Sequence, residues 1–331
     1  MQSSIGGRRW NWYSQFAWTA LAFNLAGILW GALARATPSG VGCGGHWQLC
    51  TGEVLLGRAS LALRIETILF GLSFILVSAL WVCAVRRFPR AHPSRRWAGG
   101  ALALILVEPL VGAGPVILSG VGGVDAFIAL AGSLGVLVIL SYALVGSLAM
   151  VAWHGGSTPR ERVPPSVPVL LAGGFLLGMI AVGMSGAVTA LGDTVSPAEG
   201  WVEGLPQDLD ARSSFLIQLR WFHLLLAAGL AVAAIAWVDA RRKATGAQAA
   251  NWRLTVLRGL LLIQLAAGTA SVILQAPVWL KLVHLLLAEL VWVLMCVCLS
   301  EAPARWPRYQ GYDPLLKIRR TRGAGRSGGG P

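Results

Sequence analysis

Two histidines, His223 and His284, stand inside apolar segments long enough to cross a bilayer. Each follows a cation by three residues, in Arg220-Trp-Phe-His223 and Lys281-Leu-Val-His284. An ionisable side chain at membrane depth is costly and marks a functional position by default. Two imidazoles on different segments at similar depth fit one shared ligand, a metal ion or a heme iron. At about 1.5 Å per residue, His223 lies roughly 12 Å below the outer end of its segment and His284 roughly 9 Å. Residues three apart share a helix face, so Arg220 and Lys281 sit above the imidazoles on the ligand side. Two cations beside two axial histidines match a porphyrin with two propionates. A bare zinc site would need further protein ligands and has no use for neighbouring cations. The plainer alternative is that each histidine only hydrogen-bonds across helices; the shared depth and cation offset weigh against it.

A second group of candidates lies upstream. Cys43-Gly-Gly-His46-Trp-Gln-Leu-Cys50 falls in a loop between apolar segments. Outside the cytoplasm such a cysteine pair favours a disulfide, structural or redox-active. A zinc site at Cys43, His46 and Cys50 lacks an evident fourth ligand. Glu66 begins the next apolar segment, where a partly desolvated carboxylate serves as an acid, a base or an electrostatic stabiliser, or pairs with a cation such as Arg64. Glu108 is deeper, at mid-segment before Pro109, and reads as a helix–helix hydrogen bond. Cys83, Cys296 and Cys298 fall in apolar segments and read as buried and inert. His92 and His154 flank loops and are expected to be solvated.

The elements that must position these residues follow from composition. The chain has 331 residues, 56% of them hydrophobic and 12% charged, against about 25% charged in a soluble domain. It reads as an all-α integral membrane protein. Eight stretches have the roughly 20 apolar residues that a span needs: about 16–34, 65–85, 98–121, 126–153, 167–191, 215–238, 254–274 and 278–299. The net charge of +13 is concentrated in alternate connections, at Arg86, Arg87, Arg90, Arg95 and Arg96 and at Arg241, Arg242, Lys243 and Arg253. This positive-inside pattern places both termini in the cytoplasm of a multi-pass protein of the cell membrane, and explains the basic charge without nucleic acid. The apolar run after Arg8-Arg9 reads as a retained first span rather than a cleaved signal.

The first four spans resemble the last four. Gly31-Ala-Leu-Ala34 matches Gly186-Ala-Val-Thr189. Leu63-Arg-Ile-Glu66 matches Ile217-Gln-Leu-Arg220, and Glu108-x-x-x-Gly112 matches Gln264-x-x-x-Gly268. Their shared order implies two tandem four-helix bundles related by a pseudo-twofold axis along the membrane normal, and such bundles house cofactors between helices. The expected organisation is a cytoplasmic N-terminus (1–15), an N-terminal bundle (16–153) with an outer cysteine loop (35–64), a cytoplasmic linker (154–166), a C-terminal bundle (167–299) and a basic, partly disordered tail (300–331).

At these residues the chain resembles the heme A synthase family. The similarity lies in Ser39-Gly-Val-Gly-Cys43, Trp47-Gln-Leu-Cys50-Thr-Gly-Glu53, Arg64-Ile-Glu66, Gly186-Ala-Val-Thr-Ala-Leu-Gly-Asp193, Leu219-Arg-Trp-Phe-His223 and Ala276-Pro-Val-Trp-Leu-Lys-Leu-Val-His284. It extends from about Trp18 to Cys298. The resemblance implies oxidation of a heme O methyl group to the formyl of heme A, for cytochrome oxidase biogenesis. It implies a low-spin heme b held by His223 and His284, a disulfide between Cys43 and Cys50, and Glu66 assisting methyl oxidation. Heme O synthase or oxidase assembly proteins would be partners. One departure stands out. The family has Glu-x-x-His where this chain has Glu66-Thr-Ile-Leu69, and the other N-terminal histidine, expected near Ile128–Gly132, is absent. A non-catalytic heme-binding or electron-transfer protein is therefore the alternative. A transporter built on the duplication is a third reading, and it predicts no heme.

Overall fold

The computed structural model describes residues 11–36, 61–112, 126–155, 167–195, 215–245, 252–274 and 277–300. Within them every regular element is a helix: α1 (Trp12–Ala36), α2 (Leu61–Arg87), α3 (Pro93–Gly112), α4 (Ala126–His154), α5 (Val167–Val195), α6 (Phe215–Thr245), α7 (Trp252–Ile273) and α8 (Val278–Ser300). Seven of these are long and apolar enough to cross a membrane. The remaining one, α3, carries Arg95, Arg96 and Glu108 within its described length, and the rest of its expected span, to residue 121, lies outside the described residues. The chain is a multi-pass helical membrane protein. Helices satisfy their own backbone hydrogen bonds, which hydrocarbon cannot do for them. Leu72, Ile75, Leu110, Leu177, Leu225 and Ile263 point outward from the helices, an arrangement that lipid solvates and water would not.

In the first half, α1 packs on α2, α2 on α3, α3 on α4, and α4 returns to α1. In the second half, α5 packs on α6, α6 on α7, α7 on α8, and α8 returns to α5. Each set of four successive helices thus surrounds its own interhelical space. The seam between the sets is made by α4 against α5 and α8, with α1 touching α8.

Small residues let the seam close, as they do between membrane helices generally. A Cβ on Gly146 would meet Trp292 Nε1 at 3.1 Å, and one on Gly183 would meet the Tyr142 ring at 2.5 Å. The Tyr142 and Trp292 rings lie 4.7 Å apart, and the indole donates to the Tyr142 carbonyl at 2.8 Å. That bond satisfies a buried N–H that would otherwise cost about 1–3 kcal/mol.

The helix ends on the Arg-rich side are tied by side-chain caps. Asn11 accepts from Ser14 N–H at 2.9 Å and donates to the Gly155 carbonyl at 2.8 Å, so α1 and α4 are fixed together there. His92 corrects an expectation. It is buried, 4% exposed, and stacked on Phe88 at 4.1 Å rather than solvated. The reason is local: the first N–H groups of a helix need acceptors, and His92 Nδ1 accepts from Ser94 N–H at 3.2 Å to start α3.

Candidate functional site

His223 is on α6 and His284 on α8. Both helices pack against α5 and α7, so the two stand across the bundle from one another. The imidazoles are close enough to interact electrostatically. Each ring is seated on a glycine of a neighbouring helix. A Cβ on Gly186 of α5 would lie 2.9 Å from His223 Cε1, and one on Gly268 of α7 would lie 3.1 Å from His284 Cε1. A side chain at Gly186 would force the His223 ring to move, and one at Gly268 would press on the His284 ring.

Hydrogen bonds decide which nitrogen of His223 is free. Ser185 Oγ lies 3.0 Å from His223 Nδ1 and donates to the Val182 carbonyl at 2.9 Å. A hydroxyl has one proton to give. With that proton on Val182, Ser185 accepts from Nδ1–H, the tautomer that leaves the Nε2 lone pair for a ligand. A ligating histidine commonly gives its other N–H to such an acceptor, which fixes the tautomer and the ring plane. His284 is less completely held. Its Nε2 lies 3.4 Å from Gln264 Nε2, while its Nδ1 and Gln264 Oε1 are buried with no hydrogen-bond partner. Buried polar atoms are ordinarily paired, so this corner has capacity for a group that the side chains alone do not provide.

The donor set discriminates between ligands. Among the described residues, no three His, Cys, Asp or Glu side chains converge, whereas a bare zinc ion takes three or four protein ligands. A porphyrin brings four nitrogens of its own and asks the protein for one or two axial groups. The two glycine-backed imidazoles fit the second case. Arg220 and Lys281 are half-buried on α6 and α8, three residues before each histidine.

Glu66 lies on α2, in the other set of helices, and is half-buried. It is not brought to the histidines. Leu69, also on α2, is likewise half-buried. Cys43, Cys50 and His46 lie outside the described residues. Glu108 on α3 accepts a hydrogen bond from Ser141 Oγ of α4 at 3.3 Å, as its position implied. Its counterpart Gln264 contacts His284; the side chains at 128–130, in the stretch expected to carry the second missing histidine, lie outside the described residues.

Sequence reasoning missed Glu289. It lies on α8, three residues before Trp292 and therefore on the face turned toward α4. It is 4% exposed and its Oε2 has no hydrogen-bond partner. The rule that singled out the histidines, an ionisable residue inside an apolar span, applies to it equally. An unpaired buried polar group costs about 1–3 kcal/mol. Glu289→Met is therefore expected to raise the thermal midpoint of the detergent-solubilised protein. A lowered midpoint would mean that the carboxyl contributes a stabilising interaction.

A family model described as COX15-CtaA, cytochrome oxidase assembly protein, matches residues 63–296. A protoheme IX farnesyltransferase of one Thermus thermophilus strain is 38% identical over 319 residues, covering 89% of this chain and 49% of that protein. Its counterpart in a second strain of the same species is 37% identical over the same shares. The chain thus spans about half the length of these two relatives. A heme A synthase of Halalkalibacterium halodurans is 25% identical over 287 residues, covering 81% of this chain and 90% of that protein.

Proposed function

The chain belongs to the COX15-CtaA family of cytochrome oxidase assembly proteins, and on that premise we propose that it is a heme A synthase-like membrane oxidoreductase. It oxidises a methyl group of heme O to the formyl of heme A and holds a heme b between His223 and His284. The observation that carries this reading is the pair of imidazoles across the α5–α8 bundle, each backed by a glycine. Heme b bound there would supply one-electron redox chemistry. His223 and His284 would hold it, Ser185 would orient His223, and Arg220 and Lys281 would neutralise the propionates. The α1–α4 set is the substrate chamber, with Glu66 near its outer end as the acid–base group and a Cys43–Cys50 disulfide in the loop above. Both termini face the cytoplasm of the cell membrane.

The substrate has a supporting line of its own. Relatives named for farnesylating protoheme IX match this chain over about half their length. A farnesylated heme is heme O, so a heme O synthase is the partner that would supply it. Co-expression with a heme O synthase is expected to give heme A in chromatographed pyridine extracts. Glu66→Gln is expected to lower that yield by about 10²-fold or more, the usual size of a lost acid–base group, while the heme b spectrum persists. Heme b without heme A would favour the second reading, a non-catalytic heme-binding or electron-transfer protein, which the Leu69 substitution supports. A colourless protein would exclude both.

A further inference from the structure

The proposed chemistry leaves one buried acid unused. Glu289 of α8 is almost wholly buried, and its Oε2 has no hydrogen-bond partner. Of the helices packed on α8, α4 brings a titratable group to it, the phenol of Tyr142, which interacts with the carboxyl electrostatically. No charged side chain of α1, α5 or α7 acts on it among the described residues. On its own helix, Cys296 follows two turns later. Tyr142 is enclosed by two of the helices that shape the histidine site. Its ring lies against Gly183 of α5, one turn before the Ser185–Gly186 seat of His223, and against Trp292 of α8. Glu289 itself is five residues after His284, an axial rise of about 7.5 Å. The Glu289–Tyr142 pair thus occupies the seam between the two sets of helices, beside the histidine site.

We propose that Glu289 is a proton-exchanging group coupled to the heme b site: it binds a proton from water when that site gains an electron and releases it when the electron leaves. The proposal rests on His223 and His284 holding a heme b. The electron comes from an external one-electron reductant and leaves to an external one-electron acceptor. The only bond made and broken is the carboxyl O–H. Electrostatics supplies the coupling. A ferric porphyrin core is positively charged and a ferrous core is neutral. A carboxylate near the ferric core is supported by it and loses that support on reduction, when the neutral acid is favoured instead. The interior of a membrane protein screens such an interaction far less than water does. No cation competes for the carboxylate among the described residues. Packing supplies a second argument. An apolar side chain would fill this place without leaving a polar atom unsatisfied, so the seam gains no stability from the acid. An ionisable group kept inside a span at such a cost is characteristic of proton relays.

The test is a redox titration of the low-spin heme in the full-length, detergent-solubilised protein, with dithionite as reductant and ferricyanide as acceptor, repeated from mildly acid to alkaline pH. The midpoint potential of wild type is expected to fall as pH rises through the range in which Glu289 titrates, because the carboxylate favours the ferric form. Glu289→Gln keeps the shape and removes the charge. It is expected to lose this part of the pH dependence and to hold the potential that wild type shows in acid. Glu289→Asp is expected to restore the fall. Any slope that survives in Glu289→Gln belongs to the propionates beside Arg220 and Lys281. A structural role alone would change heme content or the thermal midpoint and leave the pH profile as it is. The same pH dependence in wild type and Glu289→Gln overturns the proposal. If Glu289→Gln does not accumulate, the reduced-minus-oxidised infrared spectrum decides. Wild type is expected to gain a carboxylic-acid C=O band on reduction, and Glu289→Asp to shift it; an absent or unshifted band overturns the proposal. A wild-type protein without low-spin heme overturns instead the histidine site on which the proposal rests.

Discussion

Replacing either His223 or His284 with alanine is expected to abolish the low-spin heme spectrum of the purified protein. Two strong-field imidazoles are needed for that spin state, and among the described residues no third histidine, cysteine or carboxylate converges with them to substitute. The graded variants separate ligation from support. Ser185→Ala removes the acceptor of the Nδ1 proton, and should weaken heme retention by about 10–100-fold with the spin state unchanged. Arg220→Ala and Lys281→Ala should also weaken retention without altering spin, because they act on propionates and not on iron. His154→Ala, on α4 in the other set of helices, should leave the spectrum as it is. Absorption spectra and pyridine hemochrome content read all of these. A low-spin spectrum that survives both histidine changes would mean the site is misassigned.

The sequence made the helices and the histidine pair legible because hydropathy and charge are local properties. A run of about 20 apolar residues declares a span wherever it packs, and an imidazole within it declares a cost. The role of Gly186 and Gly268 was not legible, since neither glycine is near its histidine in sequence. Only the rotation of α5 against α6 and of α7 against α8 brings each under a ring. His92 was misjudged because its loop setting suggested water, while helix α3 needed an acceptor at its first turn. Glu289 is a different case. Its signal was present in Leu287-Ala-Glu289-Leu-Val-Trp292, an acid in an apolar run, but a single carboxylate has no second residue at matching depth to draw attention to it.

The glycine seats give a test of the geometry that touches no ligand. Gly186→Val and Gly268→Val are each expected to remove most of the bound heme. At Gly186 even one added carbon would lie 2.9 Å from the His223 ring and 3.4 Å from its Nδ1, the nitrogen held by Ser185. The ring must then swing away, and it loses the Ser185 bond. Gly268→Val presses on His284 from 3.1 Å, but that ring has a single long contact to Gln264 and can yield more easily. Gly268→Val should therefore retain more heme than Gly186→Val. Gly229→Val on α6 is the matched control, since a Cβ there meets nothing within 4 Å. It adds the same β-branched side chain to a helix, where valine is no worse a helix former than glycine. Heme content per protein, measured with circular dichroism on the same samples, distinguishes a lost site from a lost fold. Equal heme in all three variants would mean that the rings are not confined by these helices. A selective loss in the two seat variants ties cofactor binding to the approach of α5 on α6 and of α7 on α8, which is where the histidine spacing acquires its chemistry.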